Sequence, residues 1–177
     1  FGSTTHVSVL DKDGNAASVT TTNGESCGHV LPGTGVILNN MLGEEDLNPL
    51  GFHNWSDSKR LPTLICPSLL LTKEGVIDLV LGSAGSNRIR SAIVQVILNY
   101  LVKGMSLEES ICFPRIHLEG HDLHFEPGIN FNQDILNSKH ISFNAFSDKN
   151  LFFGGVNSVS QFEAVADPRR GGYGLIC

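Results

Sequence analysis

The sequence lacks any apolar run long enough to cross a membrane and has little clustered positive charge. No stretch approaches the ~20 apolar residues that a spanning helix needs. The net charge is −6, and the lysines and arginines are scattered along the chain. Because nucleic acids and anionic lipid surfaces are bound through clustered positive charge, neither is an expected partner.

Metal-binding motifs are also missing. The chain has no CxxC pair and no histidines at zinc spacing. The widely spaced cysteines are Cys27, Cys66, Cys112 and Cys177. We expect no metal site, and we favour buried free thiols over disulfides. His117, His121 and His124 alternate with apolar residues, which predicts surface strand residues rather than metal ligands.

Repeats, low-complexity segments and linkers are absent as well, so 177 residues predict one domain with a substantial core. The first recognisable structural pattern in the chain lies at residues 4–28. Val7 and Val9 alternate with polar residues, a turn follows at 11–15, and residues 16–22 return as a second strand. Such a hairpin brings residues 20–22 back beside Thr4. Thr4 can then meet the hydroxyl of Thr22, although threonines also begin strands with no catalytic role.

Further along the chain, helices and strands follow from the spacing of apolar residues. Residues 67–71 and 76–81 predict a second hairpin, whose second strand is covered on both faces. Residues 89–101 have the apolar spacing of a helix that ends at Gly104, and a capping box at 106–109 opens a shorter helix that Pro114 stops.

The other segments predict short elements. Residues 36–38 predict a buried run, 40–60 a long surface loop anchored by Trp55, and 132–138 one or two helical turns. The remaining predicted strands are 118–125, 141–146, 151–156 and 161–166. This order of elements predicts an α+β fold with helices packed against one sheet.

Six ordered motifs cover almost the whole chain. They are Thr4-Thr5-His6-x-Ser8-Val9-x-Asp11, Asp13-Gly14-Asn15-Ala16 with the Thr20-x-Thr22 run, Pro32-Gly33-Thr34-Gly35 with Leu38-Asn39-Asn40, Gly82-Ser83-x-Gly85-x-x-Arg88-Ile89, Pro114-Arg115-Ile116-His117 and Ala166-Asp167-Pro168-Arg169-Arg170-Gly171-Gly172. With them the sequence resembles the small subunit of the γ-glutamyltransferases (glutathione hydrolases), which are N-terminal nucleophile hydrolases. The resemblance implies that residues 1–177 form a single catalytic domain, half of a four-layer αββα sandwich. The other half would come from a large subunit upstream in the same precursor, and no cofactor is implied.

The resemblance also implies a nucleophile. In this family the precursor cleaves itself before a threonine, here Thr4, whose freed α-amine serves as the base. Thr22 matches the threonine that hydrogen-bonds the nucleophile, although Thr20 and Thr21 are close enough in sequence to be confused with it. Because Phe1-Gly2-Ser3 precede Thr4, the sequence as written predicts an uncleaved or differently trimmed form.

Gly85 and Ser86 stand where the family has a glycine pair whose N–H groups form the oxyanion hole. Since main-chain groups donate there, a serine at this position need not abolish the function. The same residues also fit an ordinary strand-to-helix turn with Ser86 or Asn87 as the N-cap.

Three further positions are implied to bind substrate. Asn23 and Glu44 match residues that contact the α-amine of the glutamyl group, with Glu45 or Asp46 as alternatives to Glu44. Thr63 stands in a segment where the family has two serines that hold the α-carboxylate. The second of these is replaced by Leu64, which has no hydroxyl.

The leading hypothesis is a γ-glutamyl amide hydrolase or transferase that forms an ester on Thr4 and uses a small-molecule γ-glutamyl donor. Leu64 keeps open an acylase acting on other amides, such as glutaryl or β-lactam side chains. The residues before Thr4 keep open a processing-defective relative without catalysis. Localisation stays undecided between periplasmic or extracellular and cytoplasmic, because a targeting signal would belong to the upstream subunit.

Overall fold

The computed structural model describes residues 4–177 without the side chains of residues 133 and 135, so the three residues before Thr4 lie outside it. The strands are β1 (Thr5–Leu10), β2 (Ala16–Thr21), β3 (Ser68–Leu71), β4 (Ile77–Ala84), β5 (Ile116–Glu119), β6 (Asp122–Phe125), β7 (Ser142–Ala145), β8 (Gly155–Val159) and β9 (Ala164–Val165). The α-helices are α1 (Arg88–Ile97), which continues as a π-helical turn at Leu98–Val102, α2 (Leu107–Cys112) and α3 (Gln133–Ser138).

These strands form three sheets. β1 and β2 make a two-stranded hairpin, and β3-β4-β8-β9 form an antiparallel four-stranded sheet. In the third sheet, β5-β6-β7, the β6–β7 pair is parallel. The α+β fold class expected from the sequence is confirmed.

The first hairpin packs on one face of the four-stranded sheet through its polar residues. Ser8 Oγ donates to Asn157 O at 3.2 Å, and Ser18 Oγ donates to Leu81 O at 3.0 Å. His6 lies directly over Gly82, where a Cβ would approach the imidazole to 2.2 Å. Since side chains alternate along a strand, the apolar residues of the hairpin point the other way. Val7, Val9 and Val19 are accordingly about half exposed, at 55%, 50% and 52%.

The helices cover the opposite face of the same sheet. Leu79 and Leu81 of β4 form a buried cluster with the apolar stripe of α1, and Ile111 of α2 and Val156 of β8 belong to it. β4 is therefore covered on both faces, as its apolar run predicted. The described chain has three of the layers of an αββα sandwich: helices, the four-stranded sheet and the hairpin.

A buried ion network fastens the C-terminal segment to this core. Arg115 Nη2 lies 2.6 Å from Asp167 Oδ2, and Arg169 pairs with both Asp167 and Glu126. All four side chains are almost fully buried. Burial alone would raise the pKa of the Glu126 carboxyl, but the hydrogen bonds it accepts, first from Arg169, lower it.

Several local predictions are wrong. Residues 36–38 are exposed, and 118–125 spans a hairpin, β5 and β6, that turns at Gly120. The segment 151–156 begins with a 3₁₀ turn, Leu151–Phe153, and in 161–166 only Ala164–Val165 is strand. The capping box of α2 is confirmed, with Ser106 and Glu109 bonding each other's backbone N–H groups.

The predictions for histidines and cysteines also need correction. His117 is buried at 6% exposure because it packs under α1, where its Nδ1 bonds Ser91 Oγ at 2.8 Å. His121 lies on the exposed turn between β5 and β6. All four cysteines are free, as predicted, but three are exposed and Cys112 is only half-buried. No helix within residues 4–177 has the length and apolar character to span a bilayer.

Candidate active site

The β1–β2 hairpin brings two threonine hydroxyls together. Thr4 immediately precedes β1 and Thr22 immediately follows β2, and the pairing of Thr5 with Thr21 sets them opposite each other. The Thr4 and Thr22 Oγ1 atoms lie 2.8 Å apart, within hydrogen-bond distance. Thr20 instead bonds His6 Nδ1 at 2.7 Å, and Thr21 is exposed. The hairpin thus pairs Thr4 with Thr22 and with neither neighbouring threonine.

This pair opens onto a small cavity of about 90 Å³. Five of the seven predicted site residues line it: Thr4, Thr22, Glu44, Gly85 and Ser86. The other lining residues are Gly24, Glu25, Arg88 and Arg170.

Asn23 and Thr63 do not line the cavity. Asn23 is exposed, and its buried neighbour Gly24 takes the position beside Thr22, donating its N–H to Thr22 Oγ1 at 3.0 Å. Thr63 is exposed on the segment before β3, where its Oγ1 accepts the N–H of Ile65 at 3.1 Å. Their predicted substrate contacts are not supported by this placement.

Glu44 brings a carboxylate to the cavity from the loop that precedes β3. Within residues 4–177 its Oε1 is buried without a hydrogen-bond partner. Burial, followed by the nearby charges of Glu25 and Asp46, raises the pKa of this carboxyl. Gly24 permits the close approach, because a Cβ there would lie 2.1 Å from Glu44 Oε1. A positively charged ligand would supply the missing partner.

Gly85 and Ser86 form the turn between β4 and α1, and both have positive φ angles, 138° and 52°. A Cβ on Gly85 would come within 2.6 Å of Gly154 Cα, so only glycine fits there. Within the described residues, the N–H groups of Gly85 and Ser86 donate no hydrogen bond. They are therefore available to an oxygen atom in the cavity.

The predicted N-cap position of α1 is confirmed at Asn87, but the side-chain hydrogen bond expected of an N-cap is not formed. Asn87 Nδ2 instead donates to Asp46 and Glu119, and Ser86 Oγ donates to Asp46. The polar side chains of this turn therefore bind other parts of the fold.

Sequence reasoning gave no role to two arginines that line the cavity. The Arg88 guanidinium lies 4.8 Å from the Phe152 ring centroid, and its Nε donates to Phe152 O at 3.0 Å. The stem of Arg170 packs on Gly155, and its buried Nε has no hydrogen-bond partner among residues 4–177. Neither arginine forms an ion pair within that range. Both arginines belong to motifs on which the family resemblance rests. Those motifs were the sequence signal from which a role in the site could have been inferred.

A larger open cleft of about 1120 Å³ runs along β1. Its lining includes Val7, Val9, Phe162 and Leu175, and none of the seven predicted site residues. The chemistry-bearing groups are gathered in the smaller cavity, so the cleft is not the candidate active site.

Comparison with known proteins identifies the family of this chain. The family model described as gamma-glutamyltranspeptidase matches residues 1–177. The chain belongs to the γ-glutamyltranspeptidase family. It is 32% identical over 180 residues to the glutathione hydrolase proenzyme of Bacillus subtilis, covering 97% of this chain. It is 40% identical over 128 residues to the acylase ACY 1 proenzyme of a Pseudomonas strain, covering 71% of this chain.

Among solved structures, a γ-glutamyltranspeptidase of Pseudomonas nitroreducens superposes with a TM-score of 0.79 at 26% identity. That match covers 98% of this chain and 99% of the matched chain. By contrast, the chain spans only 30% and 23% of the lengths of the two proenzymes. This γ-glutamyltranspeptidase family member therefore matches nearly all of that solved chain but less than a third of either proenzyme, and one of those proenzymes is named as an acylase.

Proposed function

We propose that this chain is the catalytic small subunit of a γ-glutamyl amide hydrolase or transferase, with Thr4 as its nucleophile. The observation that carries the proposal is the Thr4–Thr22 hydroxyl contact of 2.8 Å in a cavity that also contains the unpartnered Glu44 carboxylate oxygen. The unengaged N–H groups of Gly85 and Ser86 line the same cavity.

The mechanism begins when cleavage of the Ser3–Thr4 bond frees the Thr4 α-amine. An amine titrating near neutrality can accept the hydroxyl proton as Thr4 Oγ1 attacks the γ-carbonyl carbon of the donor. The Gly85 and Ser86 N–H groups stabilise the resulting oxyanion, and each such donor is typically worth ~10²–10³ in rate. The intermediate collapses to an ester on Thr4 as the protonated amine gives its proton to the leaving amine. Water or an acceptor amine then cleaves the ester.

The charges around the cavity fit the α-amino acid end of a γ-glutamyl group. Glu44 provides a carboxylate for the α-ammonium, and a charged pair with hydrogen bonds discriminates well. Arg88 and Arg170 provide guanidinium groups that can bind a carboxylate and that have no ion-pair partner within residues 4–177. Together they offset the absence of a hydroxyl at Leu64.

A second candidate function is hydrolysis of other amides, such as glutaryl or β-lactam side chains. It is favoured by Leu64, by the exposed position of Thr63 and by the similarity to acylase ACY 1. Comparing γ-glutamyl and glutaryl anilides separates the two candidates, because only the first donor has an α-ammonium for Glu44. A preference for the glutaryl donor would favour the acylase.

We also propose that a large subunit from the same precursor supplies the fourth layer of the sandwich. The outer face of the hairpin is apolar, with Val7, Val9 and Val19 half exposed. A helical layer packed there would bury these side chains, as α1 buries the opposite face of the four-stranded sheet.

The decisive experiment replaces Thr4 in the complete protein. Thr4→Ala should abolish self-cleavage and turnover of a chromogenic γ-glutamyl anilide, whereas Thr4→Ser should retain part of both because the hydroxyl remains. Thr5→Ala is the matched control, since Thr5 is exposed and lies outside the cavity. Mass spectrometry of the parent should find a fragment that begins at Thr4. An uncut parent would favour the processing-defective relative, and an active Thr4→Ala protein would refute the assignment.

A further inference from the structure

The turn that carries Gly85 and Ser86 is tied to the loop that carries Glu44 through one side chain, Asp46. Ser86 Oγ donates to Asp46 Oδ2 at 3.2 Å, and Asn87 Nδ2 donates to Asp46 Oδ1 at 2.8 Å. Both carboxylate oxygens are thus engaged by consecutive residues of a turn that lies 40 positions later in the chain.

This turn has a conformation that requires support. Ser86 has a φ of 52°, in the left-handed region that residues with a Cβ seldom adopt. Such backbone persists only where surrounding contacts determine it. The hydrogen bonds from Ser86 and Asn87 to Asp46 are contacts of this kind.

A second carboxylate holds the turn from another direction. Asn87 Nδ2 also donates to Glu119 Oε1 at the end of β5. The two hydrogens of the Asn87 amide thereby connect the Glu44 loop with the third sheet. Because Asp46 does not line the cavity and both of its oxygens have partners, it is not suited to bind substrate itself.

We propose that Asp46 is a positioning residue that fixes the Gly85 and Ser86 N–H groups in the geometry needed for the oxyanion. The proposal rests on the proposed function of that turn and adds a residue to it. Asp46 lies two residues from Glu44. The same short segment therefore carries the ammonium-binding carboxylate and fixes the position of the oxyanion donors relative to it.

Kinetics of variants in the complete, processed protein test this role. Asp46→Ala should lower kcat for the γ-glutamyl anilide by about tenfold or more, with a smaller change in KM. We expect kcat rather than KM to change because oxyanion donors act in the transition state. The decrease should not exceed ~10²–10³-fold, which is the typical cost of losing a donor completely. Asp46→Asn should recover part of the loss, since its amide oxygen can still accept from Asn87. Glu45→Ala is the matched control, because Glu45 is an exposed neighbouring acid outside the cavity.

A double-mutant cycle makes the test specific to the turn. Ser86→Gly removes the side chain that disfavours positive φ, so Asp46→Ala should cost at least about threefold less in that background than in the parent. Equal losses in both backgrounds, or equal effects of Asp46→Ala and Glu45→Ala, would overturn the proposal.

Amide hydrogen exchange provides a readout that does not depend on turnover. Asp46→Ala should speed exchange in a peptide covering residues 85–88, whereas Glu45→Ala should not. Unchanged exchange there would contradict the role of Asp46. A parent protein that turns over no γ-glutamyl donor would refute the proposed function, while the exchange comparison would still decide the role of Asp46.

Discussion

Among single residues, Thr22 has the most direct relation to the proposed nucleophile. Its hydroxyl contacts Thr4 and also accepts the N–H of Gly24, so it is held from two sides. Thr20 and Thr21, two residues and one residue away, have other environments. The three adjacent threonines therefore form a natural set of matched variants.

We expect Thr22→Ala to reduce kcat while the protein remains folded, because the lost hydrogen bond orients the nucleophile. A neutral hydrogen bond typically contributes only ~0.5–1.5 kcal/mol to stability, so the melting temperature should change little. The measurement is steady-state kinetics with a γ-glutamyl anilide, with Thr21→Ala as the control. Loss of activity in Thr21→Ala but not in Thr22→Ala would show that this pairing is not the catalytic one.

Glu44 gives a prediction about substrate preference. Glu44→Gln should raise KM for γ-glutamyl donors far more than for glutaryl donors, because only the former lose a charge partner. Removing one partner of a desolvated charge pair typically costs ~2–5 kcal/mol, whereas a solvated charge gives under ~1 kcal/mol. Michaelis constants for both donors should be compared in Glu44→Gln and in Glu45→Gln. Equal losses for the two donors would refute the role.

At the scale of elements, the contact between the first hairpin and the four-stranded sheet depends on a buried histidine. His6 is 3% exposed, and its ring nitrogens bond Thr20 and Ser8. Burial lowers its pKa from 6.5 to about 4. Below pH 6.5 the unfolded chain therefore binds a proton at His6 that the folded chain excludes, and stability is lost as the pH falls toward 4.

We expect His6→Gln to remove this part of the pH dependence. Between pH 6.5 and 4 the free energy of unfolding should fall less steeply in the variant than in the parent. Between these pH values the parent should lose at least ~1.4 kcal/mol more unfolding free energy than His6→Gln does, which is the free energy equivalent of one pKa unit. Urea unfolding at several pH values measures it, with exposed His121→Gln as the control. Parallel pH profiles for the parent and His6→Gln would contradict the assignment.

For the whole molecule, the ion network around Arg115 joins segments far apart in the chain. Asp167 accepts from Arg115, Arg169 and the N–H of Val156, and so fastens the C-terminal segment to β8. Burial lowers the pKa of the Arg115 guanidinium, and the Asp167 carboxylate opposes that shift. The Asp167 carboxylate therefore offsets part of the cost of burying the Arg115 charge.

Asp167→Asn should destabilise the fold by ~3–5 kcal/mol, because it leaves the buried Arg115 charge without its counter-charge. Chemical denaturation measures this loss. Asp148→Asn is the matched control, since Asp148 is exposed and its carboxylate accepts a hydrogen bond from the adjacent Ser147 Oγ rather than from a buried arginine. A loss no greater than that of the control would show that the network contributes little to stability.

The assembly prediction concerns the outer face of the hairpin. Val7→Asp should weaken association with the proposed large subunit without changing the fold of this chain, because burying an unpaired carboxylate is costly. Size-exclusion chromatography of the co-expressed subunits measures association. Val94→Asp on α1 is the control, since Val94 is 53% exposed and Val7 is 55% exposed. Equal assembly of both variants would place the interface elsewhere.

The sequence by itself determined the elements whose signals are local. The turn at 11–15 and the flanking alternation specified the first hairpin, and the apolar spacing of 89–101 specified α1. The capping box of α2 could likewise be predicted from the sequence, because its hydrogen bonds join residues only three positions apart. The hairpin register placed Thr4 against Thr22, since a strand pairing follows from its turn.

Only the tertiary structure decided which faces and which neighbours these elements have. Alternation along β1 does not say that His6 and Ser8 face the sheet while Val7 and Val9 face outward. Likewise, a contact that joins Asp46 to Ser86 has no periodic signal, because it depends on how distant loops meet. For the same reason Gly24 rather than Asn23 lines the cavity, and Arg170 reaches it from the end of the chain.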